Sequence, residues 1–308
     1  MNFAQFGKRI VLFAVMNILV MLTITLVLGL LHVGRFFPQG GLAGLAVFCL
    51  VWGFAGALIS LALSRVMAKW MMGVQVIPPD TNDPTLRNLV ATVHELSRGA
   101  GLPTMPEVGI YESPEINAFA TGPSKARSLV AVSSGLLNRM GSREVAAVLA
   151  HEVTHISNGD MVTMTLLQGV INSFVLFLSR VLAFVVTLAM RSRDDDRDTG
   201  GGMMQWLLSM LFQMVFSVMG YMLLMWFSRW REFRADAGGA RLAGRENMIN
   251  ALTTLGRLHD PQVEAAAASA APAFQALKIS GPRSGFLALF ASHPPLEERI
   301  AALQRGPA

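Results

Sequence analysis

Ser142-Arg-Glu-Val-Ala-Ala-Val-Leu-Ala-His-Glu-Val-Thr-His-Ile-Ser157 is the stretch on which the reading of this chain turns. Its Ala, Val and Leu content predicts a buried helix, with Ser142 placed as the N-cap and Arg143 and Glu144 in the first turn. On a helix His151 and His155 are four residues apart, roughly 6 Å of rise, so both imidazoles leave the same face. That spacing suits one metal ion. Glu152 lies beside the same face, where its carboxylate is placed to take a proton from a water attacking a carbonyl. The alternative is that two histidines and a glutamate fell together on an ordinary core helix. Three ionisable groups within one turn of an apolar run speak against it.

Composition places this helix in a membrane protein. Of 308 residues, 53 % are hydrophobic and only 15 % charged, and the mean hydropathy is +0.48, which is not the balance of an ordinary soluble chain. The single cysteine, Cys49, excludes an intrachain disulfide and a cysteine zinc site, so any metal must be held by His and carboxylates. The net charge of +5 comes from basic residues beside apolar runs, with no basic-aromatic pattern for nucleic acid. It is read as membrane topology and lipid contact.

Four apolar runs follow along the chain. Ile10 to Leu31, preceded by Lys8 and Arg9, and Leu42 to Leu63, followed by Arg65 and Lys69, form a predicted transmembrane hairpin over residues 1–63. The first run has no small-residue cleavage pattern and is read as an uncleaved anchor. Residues 64–163 turn globular, with a helical stretch around Leu86 to Arg98. Short β-prone pieces at Glu107–Tyr111, Ile116–Ala120 and Ser128–Val132 predict a small antiparallel sheet. Met164 to Met190 and Met203 to Phe227, joined by the Asp-rich connector Arg191 to Asp198, form a second hairpin within residues 164–227. Residues 228–308 are globular and helical in pattern, with an Ala-rich piece at 264–273. Arg180 sits inside a span with no acidic residue in any other span, and snorkelling or an Asn or Gln partner is its expected fate.

Two histidines leave a catalytic zinc one protein ligand short. A metzincin would place Gly and His three and six residues after His155, where this chain has Asn158 and Met161. The best remaining candidate is Glu232, with Asp236 one turn later, able to accept a hydrogen bond from the far nitrogen of a ligand His. The competing reading of this pair is a solvated helix face among Arg229, Arg231 and Arg234. Glu232 can meet His151 only if the chain crosses the bilayer an even number of times between them, and two crossings are counted. Near the span ends, seven Lys and Arg (Lys8, Arg9, Arg65, Lys69, Arg229, Arg231, Arg234) fall on the site's side and four (Arg35, Arg191, Arg193, Arg197) on the other. That bias predicts a cytoplasmic site. His293 is the leading donor to a developing oxyanion, unless it only caps the Pro294-Pro295 helix, and Tyr111 is a weaker alternative. His32, His94 and His259 are read as structural or exposed. Asn117, Ala118, Phe119 and Ala120, if on an edge strand, are placed to pair with an extended peptide; the alternative is an ordinary sheet strand.

With His151-Glu-Val-Thr-His155, Glu232-Phe-Arg-Ala-Asp236, Asn117-Ala-Phe-Ala-Thr-Gly122 and Ser292-His-Pro-Pro-Leu-Glu-Glu-Arg299 in this order, the chain resembles the HtpX family of bacterial membrane metalloproteases, related to Ste24-type CAAX proteases. The resemblance covers nearly the whole chain. It implies a four-span helical membrane protein with an α+β zincin-like domain and one Zn²⁺ per chain. It also implies an endopeptidase of the bacterial inner membrane that degrades misfolded or damaged membrane proteins from the cytoplasmic side, with self-cleavage. Carried over by residue, His151, His155 and Glu232 match the family's ligands and Glu152 its base. Asp236 matches its supporting acid, His293 its His-Pro position, and Asn117 to Ala120 its substrate strand. The runner-up is a non-enzymatic membrane scaffold or holdase whose metal only staples two segments together.

Overall fold

The structure, a computed structural model, describes residues 41–190, 201–258 and 291–306. The expected span Ile10–Leu31, the connector Arg191–Asp198, the Ala-rich piece 264–273, His32 and His259 lie outside the described residues.

Among the described residues three helices are long and apolar enough to cross a bilayer: α1 (Gly41–Met71), α5 (Asp160–Met190) and α6 (Gly201–Ala243). Each is longer than the apolar run it contains, because good helix formers continue past the hydrocarbon-length stretch. The chain divides into two compact units. Of the described residues, one holds 41–58, 167–190 and 201–221, the other 59–166, 222–258 and 291–306.

In the first unit the helices approach closely where glycine removes a side chain. A Cβ on Gly53 would lie 2.2 Å from Ser173 Oγ, and one on Gly169 would lie 2.6 Å from the Phe54 ring. Small residues of this kind allow the backbone contacts that drive helix association in lipid, where the hydrophobic effect gives no help. Leu50, Phe174 and Met214 remain exposed on the outside of this unit, as residues facing acyl chains do.

The second unit is α+β. After β1 (Gln75–Val76) comes α2 (Pro84–Gly99), capped by Asp83, whose carboxylate accepts from the Thr85 and Leu86 amides at 2.8 and 3.3 Å. Then follow β2 (Glu107–Tyr111), β3 (Ala118–Ser124), β4 (Arg127–Ser133), a short α3 (Ser134–Arg139) and α4 (Ser142–Asn158). Two further helices, α7 (Arg245–Leu258) and α8 (Leu296–Arg305), complete it. The sheet order is β1-β2-β4-β3. It is mixed rather than antiparallel as expected, because β2 and β4 pair in parallel. The cause lies in residues 112–117, which pass over the end of β4 before β3 returns along its far side. This crossing is tied down by Ser133 N donating to Asn117 O (2.9 Å), Ser133 Oγ to Glu115 O (2.6 Å) and Gly135 N to Ser113 O (2.8 Å). It also needs Gly135, where a Cβ would sit 2.5 Å from Pro114 O.

Alternation divides the sheet's faces between two cores. Val108, Ala118, Val130 and Val132 face the main core with α2, α4 and α7, whereas Tyr111, Phe119, Leu129 and Ala131 pack with Ala68 and Val74 on the other side. The end of α1 is fixed to the sheet by Arg65 and by Lys69 (2.7 Å), both on Glu107. Burial opposes ionisation of that carboxyl, but the two cations outweigh it and hold Glu107 below its ordinary range.

Candidate active site

The site begins with how α4 is held. Its N-cap is Gly141, one residue before the expected Ser142, and the Glu144 carboxylate reaches back to accept from Gly141 N at 2.9 Å. The other Glu144 oxygen accepts from Thr254 Oγ1 of α7 at 2.5 Å. The helix is buried from Val145 to Ile156, apart from one partly exposed position, and ends at Gly159 in the left-handed conformation, φ +73. His151, Glu152 and His155 therefore lie inside the unit, at 5, 6 and 8 % exposure.

Glu232 and Asp236, one turn apart on α6, lie beyond its apolar stretch and are buried to 0 and 1 %. A solvated helix face is thereby excluded. They reach the histidines because α6 crosses α4 at Gly238 and Gly239. A Cβ on Gly238 would stand 2.2 Å from Thr154 Cγ2, and one on Gly239 3.1 Å from His151 N. Two bare positions let the backbones close in.

His151 Nε2 is 3.1 Å from His155 Nε2 and 3.4 Å from Glu232 Oε2, and His155 Nε2 is 3.3 Å from Glu232 Oε1. An ion with four ligands about 2.0 Å away has tetrahedral edges of about 3.3 Å, so the separations among these groups are of the size that a shared ion needs. Glu232 Oε1 is buried and accepts no hydrogen bond among the described residues, an orphan acceptor that a cation would satisfy. Among the described residues His151, His155 and Glu232 form the one group of three or more ligands converging in this way. The donor set of imidazoles and a carboxylate fits a divalent metal.

Behind each of the three side chains stands a partner. Asp236 Oδ1 is 2.9 Å from His151 Nδ1, close but off the line of a straight hydrogen bond. Asp160 Oδ2 is 2.6 Å from His155 Nδ1. Both imidazoles are thus turned with Nε2 inward. Arg299 of α8, 1 % exposed, grips Asp236 with Nε donating to Oδ2 at 2.7 Å and Nη2 to Oδ1 at 2.6 Å. His293 Nδ1 lies 2.7 Å from Glu232 Oε2. Asp160, Arg299 and Gly238 escaped the sequence reading. The only signal for Asp160 was its place after a helix-ending glycine, and Arg299 stood within a quoted motif without a role.

Charges in this cluster are strongly displaced. Burial would press His151 towards neutrality, but the close carboxylates of Asp236 and Glu232 prevail and raise it to about 10. His155 is raised as well, against burial, chiefly by Asp160 and Glu232. Burial would lift the two acids, yet the charge of His293 and the nearness of His151 and His155 hold Glu232 well below the carboxylate range. Arg299 does the same for Asp236, which falls to about 2. Carboxylates kept ionised thus face imidazoles on which they favour positive charge.

Ala118 to Ala120 begin β3, which lies at the edge of the sheet, and Asn117 immediately precedes it. Asn117 O accepts from Ser133 N, so odd-numbered residues bond to β4 while Ala118 and Ala120 turn their backbone groups to the open edge. Their side chains face the core that holds α4. Tyr111 packs on the opposite face against Phe119, with ring centroids 5.8 Å apart. Burial pushes its phenol up to about 12. His94 bonds Pro106 O at 3.3 Å, a structural role.

The family model described as Peptidase family M48 matches residues 84–306. The chain is 49 % identical over 303 residues to the "Protease HtpX homolog" of Methylacidiphilum infernorum (isolate V4), covering 97 % of this chain and 99 % of that one. To the protein of the same name from Bacillus subtilis (strain 168) it is 51 % identical over 312 residues, covering 97 and 99 %. With "Protease HtpX" of Tolumonas auensis it shares 46 % over 297 residues, covering 96 and 99 %. The crystal structure of S. mikatae Ste24p superposes with a TM-score of 0.58 at 19 % identity; the match covers 94 % of this chain and 66 % of that one, so this chain spans just under two thirds of its length. That likeness bears on the fold.

Proposed function

The chain belongs to peptidase family M48 and is a multi-pass membrane protein with a peptidase site, and on that premise we propose that it is a zinc-dependent endopeptidase. Its substrates are misfolded or damaged membrane proteins, cut at the cytoplasmic face of the bacterial inner membrane. The observation that carries the reading is the convergence of His151, His155 and Glu232, whose imidazole nitrogens lie 3.1 Å apart and 3.3–3.4 Å from the two Glu232 oxygens, with no fourth His, Cys, Asp or Glu in the cluster among the described residues. A structural zinc would take its fourth ligand from protein; a catalytic one keeps that position for water or substrate. This favours the enzyme over the scaffold.

His151, His155 and Glu232 would hold the ion. When bound, zinc supplies Lewis acidity, polarising the scissile carbonyl and acidifying water at neutral pH. An extended peptide pairs with the outward backbone groups of Ala118 and Ala120, so recognition is indifferent to sequence and suits a quality-control protease. Asn117 and Phe119 fix the strand from its other face. Glu152 takes the proton from the attacking water and delivers it to the departing amine, which turns the tetrahedral adduct into two chain ends. Asp236 and Asp160 hold the imidazoles in register, and Arg299 holds Asp236. His293, whose Nδ1 donates to Glu232, offers Nε2–H to the oxyanion when the ring carries both protons.

The test is cleavage of an unfolded membrane substrate by the purified full chain, depleted of metal with a chelator and then given zinc. Zinc restores cleavage, Glu152→Gln retains the ion but loses about 10²–10⁴-fold in turnover, and His151→Ala loses ion and activity together. Cleavage by the metal-free chain, or full turnover by Glu152→Gln, would overturn the assignment.

A further inference from the structure

Within the membrane unit, the described residues 41–58, 167–190 and 201–221 contain one charged side chain, Arg180 of α5. It borders a cavity of about 390 Å³ lined also by Leu45, Phe184, Gln205, Trp206 and Ser209. Arg180 Nη1 donates to Leu176 O at 3.1 Å, and the guanidinium lies over the Phe48 ring, 5.6 Å from its centroid. A carbonyl and a ring face solvate a cation but do not neutralise it, and no carboxylate in the described unit does so. Arginine presents five N–H groups, so most of its hydrogen-bonding capacity is directed elsewhere. The cavity reaches Leu42 and Gly202, at the starts of α1 and α6.

We propose that this cavity holds the phosphodiester of an anionic glycerophospholipid. Its phosphate oxygens meet Arg180 and Gln205, its glycerol oxygens meet Ser209, and its acyl chains leave past Leu45. Charge complementarity selects this occupant. One guanidinium matches one phosphodiester, whereas a zwitterionic headgroup brings its own cation into a pocket with no acid to receive it. Apolar walls around a polar end fit an amphiphile better than free phosphate. The position of Trp206 provides an internal reporter.

The purified full chain, in neutral detergent, is titrated with dibrominated phosphatidylglycerol or dibrominated phosphatidylcholine, and the tryptophan quenching that disappears in Trp206→Phe is followed. Half-quenching is expected at about tenfold less phosphatidylglycerol than phosphatidylcholine, the size of one charge-assisted contact. The preference should vanish in Arg180→Gln and persist in Arg180→Lys. Ser209→Phe, which fills the cavity and keeps the charge, should abolish quenching by either lipid and serves if Arg180→Gln fails to fold. Inorganic phosphate should not compete. Equal quenching by both lipids in the unsubstituted chain, or a preference that survives Arg180→Gln, overturns the proposal. So does a preference appearing only after Asp194, Asp195, Asp196 and Asp198 are changed to Asn, since the connector would then supply the anion.

Discussion

Glu152 and the two histidines could be placed from spacing alone, because a helix repeats every 3.6 residues and their separation lies within one turn. Asp160 could not. It follows His155 by five residues, an interval with no helical meaning, and meets the ring only because Gly159 adopts φ +73 and turns the chain back. Asp160→Ala should weaken metal retention about 10–100-fold, the usual consequence of freeing a ligand imidazole, read as the chelator concentration that strips half the ion. Unchanged retention would reduce Asp160 to a helix cap. Arg299 was similarly hidden, since nothing local announces that a residue 63 positions after Asp236 will bind it. Arg299→Ala strands a buried carboxylate and should cost about 3–5 kcal/mol in denaturant unfolding, far more than a surface arginine.

Among the elements, β2 was legible to the residue and the metal helix within one, for amphipathic and β-branched runs bounded by Pro and Gly are strong local signals. Strand order was not, because the parallel pairing of β2 with β4 rests on a crossing over Gly135 that no periodicity encodes. Two-residue β1 exists only through its pairing with Ile110 and Gly109. The close crossing of α6 on α4 also depends on bare glycine. Gly238→Ala should therefore loosen the metal and lower stability, and Thr154→Ala, by trimming the opposing side chain, should recover part of both; an innocuous Gly238→Ala would mean the helices do not touch there. The tie between α1 and the sheet predicts a pH effect. Glu107 has a lowered folded pKa, so its contribution is present above the ordinary value of 4.5 and is lost as pH falls through the depressed one. Thermal scans of Glu107→Gln should diverge from the unsubstituted chain at neutral pH and converge in acid. A constant gap down to acid would contradict the ion pairs.

At the scale of the molecule, hydropathy located α1, α5 and α6 as membrane helices but underestimated their length, since the helix continues beyond the apolar window into residues with their own tasks. The continuation of α6 through Glu232 and Asp236 is the chief instance, for one helix serves both as a membrane crossing and as the source of the proposed third ligand. The orientation inferred from basic residues predicts that a reporter cysteine at Arg245, in a Cys49→Ser background, is labelled only from the cytoplasmic side, and one at Asp195 only from the other. The reverse pattern would move proteolysis to the opposite compartment. Central to the account is a single ion shared by α4 and α6, and X-ray absorption spectroscopy of the zinc-loaded full chain tests it most directly. Two imidazole nitrogens and protein carboxylate oxygen at about 2.0–2.2 Å, with one zinc per chain and the ion lost in Glu232→Ala, are predicted; a sphere closed by four protein ligands, or an unaltered sphere in Glu232→Ala, would contradict it.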